Sequence, residues 1–187
     1  MNSVPTLRML NLGCGFNKFS DGWINVDAHA ICKPDVRMNL EDLPWPWEDN
    51  SVDQIAAWHV FEHLHNWWAV FTECSRVLKP GGIIEIRIPD ESSSSAITHK
   101  DHFHIFDQYS FHGTMDSLKG KYTNAWFAEQ PVIPLVLVSY HQVPFAKYNW
   151  MAMWGFRWLL SFCSNHLRNF IWEQRWVYTK VAGCKFA

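Results

Sequence analysis

The sequence predicts an α/β protein built on a doubly wound, mostly parallel sheet. Two observations carry this. Short apolar runs of strand length surround one stretch of helical periodicity across residues 7–90. The polar residues and glycines that interrupt the pattern fall at the predicted carboxyl ends of the strands, where sheets of this kind bind ligands.

The first run, Leu7, Met9, Leu10 and Leu12, breaks into Gly13-Cys14-Gly15, and a second, Trp23-Ile24-Asn25-Val26, stops at Asp27. A strand ending in glycines lets a ligand approach bare backbone, whose N–H groups can meet anionic oxygens. An acid at the tip of the next strand is placed to accept hydrogen bonds from a ribose diol. Strand, glycine loop, strand and acid form a nucleoside-binding pattern; the alternative is a tight turn followed by a surface acid. Residues 28–37 read as loop around Pro34, and Val36 to Leu40 as a third short strand. Residues 41–50 cannot be helical, because Pro44 and Pro46 stand two apart; their tryptophans are expected to cover apolar surface. Asp53 to Trp58 reads as a fourth strand ending near His59, and Glu62 to Leu78 as a helix stopped by Lys79-Pro80-Gly81-Gly82. Ile83 to Ile88 is a β-branched fifth strand closed by Pro89-Asp90. Gly13 to Gly15, Asp27, Asn39, His59 and Asp90 therefore gather at one edge of the predicted sheet.

The second half is less regular. Serines 92–95 read as loop, and His99, His102, His104 and His112 crowd a stretch interleaved with Phe103, Phe106 and Phe111. Asp107 caps an expected helix reaching about Leu118. Residues 122–148, with Pro131, Pro134 and Pro144, read as strand pieces and loops. From Asn149 to Trp172 the pattern is helical and apolar nearly all round, with Trp150, Trp154, Trp158 and Phe162 every four residues. Two readings suit the segment 149–176: helices packed on the sheet or on a second copy as a homodimer, or an interfacial amphipathic helix in peripheral membrane contact. Val177 to Phe186 is the expected closing strand.

The length of 187 residues fits one domain. A net charge of −2 gives no strong nucleic-acid signal. Charged residues make up only 18% while there are 12 Trp, a balance that suits an apolar pocket. The 5 Cys are scattered without a C-x-x-C pair, so a reducing, cytoplasmic setting is expected rather than a disulfide framework or zinc knuckle. No signal peptide and no spanning helix are expected.

Four segments carry a resemblance: LNLGCG at 10–15, GWINVD at 22–27, LPWPWEDNSVDQIAAWHVFEHL at 43–64, and RVLKPGGIIEIRIPD at 76–90. In this order they resemble the class I S-adenosylmethionine-dependent methyltransferases, in particular compact members with a short first crossover. HIFDQYSF at 104–111 and IWEQRWVY at 171–178 match later segments loosely. The resemblance implies a Rossmann-like methyltransferase sheet with its last strand antiparallel, helices on both faces, and a Trp-rich helical insertion near the C-terminus. Residues 1–90 would form the cofactor-binding half and 91–187 the acceptor-binding half. The implied cofactor is S-adenosylmethionine. By the same resemblance Gly13, Cys14 and Gly15 supply backbone around its methionine carboxylate and ribose, Asp27 binds the ribose hydroxyls, and Ala28 packs on adenine. Asn39 and Leu40 would read adenine by side chain and backbone N–H, while His59 sits near the methionine part and the incoming substrate. Asn11 takes the place of an acid that in many relatives helps hold the cofactor's amino group. The stretch from Gly15 to Asp27 is too short for the usual crossover helix.

Methyl transfer from a sulfonium is an in-line displacement with a good leaving group, so alignment is the main contribution, worth about 7–11 kcal/mol. A hydroxyl or protonated amine also needs a base, worth roughly 10²–10⁴. Candidates are His59, Asp90, Asp101, His102 and His104, with histidine favoured because it titrates near the working pH. A metal reading of His99, Asp101, His102 and His104 lacks an identifiable third ligand, so no metal is assigned. The expected activity is methyl transfer to a small-molecule or glycan hydroxyl or amine. The alternative is a catalytically inactive binding or scaffold module. A nucleic-acid methyltransferase ranks third, since the Asn/Asp-Pro-Pro-aromatic tetrapeptide of amino-methylating enzymes is missing.

Overall fold

In the computed structural model, which describes residues 7–107, 110–111, 133–145, 158 and 171–182, the strands are β1 (Met9–Leu12), β2 (Trp23–Asp27), β3 (Val36–Arg37), β4 (Val52–Trp58), β5 (Leu78–Pro89), β6 (Leu135–Pro144) and β7 (Ile171–Lys180). They form a single sheet in the order β3-β2-β1-β4-β5-β7-β6. The first five are parallel to their neighbours. β7 runs antiparallel between β5 and β6, as expected of the last strand. The order reverses between β1 and β4, so a crevice opens beyond their carboxyl ends.

The central strands bury one apolar face: Leu10, Leu12, Val26, Ile55, Ala57, Ile84, Ile86 and Ile88, all at most 1% exposed, stand in register on the same side, while Asn11, Asn25, Ala56 and Glu85 occupy the other. Helix α1 (Trp67–Val77) buries Val70, Phe71, Cys74 and Val77, spaced three and four apart along one face. It starts five residues later than the sequence predicts, because the Asn66 side chain accepts from Ala69 N at 3.2 Å and caps it there. Residues Phe61–His63 instead form a single 3-10 turn. The helix ends at Val77; Leu78 is already extended and pairs with Val52, so the Lys-Pro-Gly-Gly segment runs into β5 rather than closing the helix.

Other boundaries also move. β3 is two residues long: Met38 N makes the last ladder bond, to Asp27 O at 3.0 Å, and β2 ends there. The serine run is not all loop: a short helix α2 (Ser94–Thr98) starts where Ser93 Oγ accepts from Ser95 N. The closing strand is Ile171–Lys180, not 177–186, so Ile171 and Trp172 are strand rather than helix; alternating burial and pairing on both sides hold it there. Among the described residues α1 is the only helix longer than five residues. The expected helix from Asp107 to Leu118 and the Trp-rich insertion lie outside them, apart from an exposed, helical Trp158. No helix of the described residues is long and apolar enough to cross a membrane.

Between β1 and β2 a knot of asparagines does the work of the missing crossover helix. The Asn25 Oδ1 atom accepts from Asn11 Nδ2 at 2.9 Å and from Phe19 N at 2.8 Å, while its Nδ2 donates to Phe19 O at 3.0 Å and Asp35 Oδ2 at 2.6 Å. Asn11 Nδ2 also reaches Asn17 O at 3.0 Å. Both Asn11 and Asn25 are 3% exposed, so these bonds are made away from water, where leaving them unmade would be costly.

Candidate functional site

The glycine loop is shaped by a close approach. Gly13 has φ +58°, and a Cβ there would stand 2.6 Å from Val60 Cγ2, so both backbone angle and space require glycine. Asp27 fastens the loop: its Oδ2 accepts from Gly15 N at 2.9 Å and its Oδ1 from His29 N at 2.8 Å. Each carboxylate oxygen keeps a second acceptor position for a ligand.

The strand ends converge on a cavity of about 620 Å³, within the usual size of small-molecule sites. Gly13, Asp27, Ala28, Asn39, Leu40 and His59 all line it, six of the residues singled out in the sequence. Asp101 lines it too. Phe103, one of the phenylalanines interleaved with the histidines, lines it as well, while the sequence reasoning missed His29, Met38, Glu41, Val60, His63 and Leu64; His29, Met38 and Val60 lie within two residues of a strand end, which was the available signal. Glu41 is tied down by Asn66 N at 2.7 Å, a bond that lowers its pKa.

His59 stands at the mouth with a left-handed backbone, φ 55°, uncommon for a side-chain-bearing residue. Its Nε2 lies 3.1 Å from Glu173 Oε2 and its Nδ1 lies 3.3 Å from Glu62 Oε1. The hydrogen bond to Glu173, then the contact with Glu62, push its pKa up to about 9 against the opposing effect of burial. Both ring nitrogens face carboxylates, so neither is free to take a proton from an acceptor.

The other candidates lie outside the cavity lining. Asn11 belongs to the asparagine knot. Cys14 is 4% exposed, its N donates to Val26 O at 3.0 Å, and burial raises the pKa of its thiol. Gly15 meets Asp27 through its own N–H. Asp90 is 1% exposed and spends its carboxylate on Ser92 N, Ser92 Oγ and Gln174 Nε2, closing the turn after β5. His104 Nε2 lies against His65 O at 3.1 Å, and His102 Nδ1 against Ala96 O at 3.3 Å.

The chain is similar to known proteins in sequence and in fold. Residues 14–86 match the family model described as a methyltransferase domain. A Mycolicibacterium smegmatis protein named "Probable S-adenosylmethionine-dependent methyltransferase" is 40% identical over 57 residues, covering 30% of this chain and 21% of that protein. The chain thus spans about a fifth of the length of that relative. Among solved structures, the S-adenosylmethionine-dependent methyltransferase of Mesorhizobium loti superposes with TM-score 0.60 at 12% identity, over 96% of this chain and 94% of the other. An S-adenosylmethionine-dependent methyltransferase of Archaeoglobus fulgidus gives TM-score 0.59 at 14% identity, over 94% and 87%. At such identities a structural likeness establishes the fold. The domain match over residues 14–86, the relative and the fold thus each liken the chain to S-adenosylmethionine-dependent methyltransferases.

The residues present fit the cofactor for which those similar proteins are named, S-adenosylmethionine. A bare backbone at Gly13, an acid with spare acceptor positions at Asp27, and the Asn39-Leu40 pair meet around one cavity of suitable size. Those are the groups a nucleoside bearing an amino acid requires.

Proposed function

We propose that the protein transfers a methyl group from S-adenosylmethionine to a hydroxyl or amine of a small-molecule or glycan acceptor. The observation supporting this is the meeting of the ends of β1, β2 and β4 and of the turn after β3 on one cavity, at the point where the strand order reverses. The cofactor supplies an electrophilic methyl carbon on a good leaving group. The chain's own residues then have to bind and align. Gly13 offers backbone at close range, Asp27 accepts from the ribose hydroxyls, Ala28 covers one adenine face, and Asn39 with Leu40 reads the adenine edge. His59, clamped by two carboxylates, positions the β4 end rather than acting as base. Asp101 lines the cavity and is the carboxylate assigned to take the acceptor's proton. Phe103 and Ile105, both more than half exposed, give this side an apolar rim that suits an acceptor with an apolar part.

A reducing, cytoplasmic setting is part of the same reading, supported by the free thiols of Cys14, Cys32 and Cys74. So is contact with a second copy or a membrane surface through the Trp-rich segment, shortened now to residues before Ile171.

Titration calorimetry with S-adenosylmethionine is the test. Saturable binding below the millimolar range is expected, weakened roughly ten- to a hundredfold by Asp27→Ala, the loss of charge-assisted hydrogen bonds. Failure to bind in that range would overturn the reading. Transfer of labelled methyl across an acceptor panel separates an active enzyme from a binding module.

A further inference from the structure

The 3-10 turn after β4 carries a group that the methyl-transfer reading does not use. Glu62 is 1% exposed, and neither of its carboxylate oxygens has a hydrogen-bond donor. It is in ionic contact with His59 Nδ1, off the axis a hydrogen bond needs. His59 answers part of that charge, but with no donor on either oxygen the buried carboxylate keeps acceptor positions open for a further cation.

Two further histidines face it. One ligand atom each from Glu62, His63 and His102 lies within 4.8 Å of the others. The two rings meet edge-on, with centroids 4.7 Å apart. Each ring also turns one nitrogen to a backbone carbonyl: His63 Nδ1 to Asp101 O at 2.9 Å, and His102 Nδ1 to Ala96 O at 3.3 Å. A carbonyl only accepts, so Nδ1 carries the hydrogen in both rings and Nε2 is left with its lone pair. Outer-shell bonds of this kind orient metal-binding histidines.

We propose that Glu62, His63 and His102 bind a divalent transition-metal ion of zinc type. One carboxylate and two neutral imidazoles suit zinc and its neighbours rather than magnesium or calcium, which prefer all-oxygen surroundings. Ligands about 2.0–2.1 Å from a tetrahedral zinc stand roughly 3.3 Å from one another. Loading therefore draws the ligand atoms together by no more than about 1.5 Å, within reach of side-chain rotation. Three protein ligands leave at least one position open. His63 also lines the cavity, so the ion borders the space assigned to the acceptor and clips the segment bearing His102 to the turn after β4.

The experiment is titration of chelator-stripped protein with zinc chloride alone, without cofactor, so its outcome is independent of the methyl-transfer reading. Binding of one ion per chain is expected, with Glu62→Gln and His102→Ala each weakening it at least about tenfold and His104→Ala leaving it unchanged. Circular dichroism establishes that each variant is folded. Should Glu62→Gln fail to fold, cobalt binding to the wild type replaces it, with visible ligand-field bands expected and lost on His102→Ala. No saturable binding, binding indifferent to these substitutions, or cobalt bands that survive them would overturn the assignment, the last two by placing the ion on other histidines.

Discussion

His59 and Glu173 meet across 114 positions of sequence, Nε2 to Oε2 at 3.1 Å, and so tie the end of β4 to the beginning of β7. The imidazole's pKa stands near 9 in the folded chain against about 6.5 when unfolded. A group raised by folding contributes stability that is complete below about pH 6.5 and is lost as the pH climbs through 9. In the presence of chelator, the urea midpoint of the wild type should fall between pH 6.5 and 9, and that of Glu173→Gln should fall less. Parallel curves would show that Glu173 does not hold the proton on His59.

Gly13→Ala is expected to cost about 1–3 kcal/mol, since a left-handed angle and a contact with Val60 act together. Adding Val60→Ala removes the contact but not the backbone strain, so the double variant should recover only part of the loss. Chemical denaturation of the three chains checks this; full recovery would mean the angle itself is tolerated.

Asn25→Ala strips partners from Asn11, Phe19 and Asp35 at once. About 2–3 kcal/mol of lost stability is expected, more than a single surface hydrogen bond provides. Cofactor affinity should fall as well, because the loop between β1 and β2 carries Gly13 and Gly15. Unchanged proteolysis of that loop in the variant would contradict the assignment.

Much of this was visible in the residues. Ile84, Ile86 and Ile88 announce a buried central strand, and Gly13 with Asp27 marks the ligand end of the sheet. Less visible was anything depending on distant pairing. Asn25 reads as an ordinary strand residue until Asn11 and Asp35 are brought beside it. The histidines at 99, 102 and 104 suggested a cluster by their crowding. The structure does stack His99 on His102, but it also groups His102 with Glu62 and His63, forty positions upstream, because the turn after β4 lies beside the chain leaving β5. β7 was misplaced because its apolar start at Ile171 continues a run whose period suits a helix. Only pairing with both β5 and β6 decides the matter.

The position of β7 also orders the assembly of the molecule. β6 is made earlier in the chain but touches the sheet only through β7, so it has nothing to add to until the later strand arrives. β7 must reach the β5 edge first or bring β6 with it, and that pairing spans the 81 residues between Pro89 and Ile171, an entropic cost. Glu173 travels with them. A protein arrested before that step would keep its glycine loop yet leave His59 with Glu62 alone.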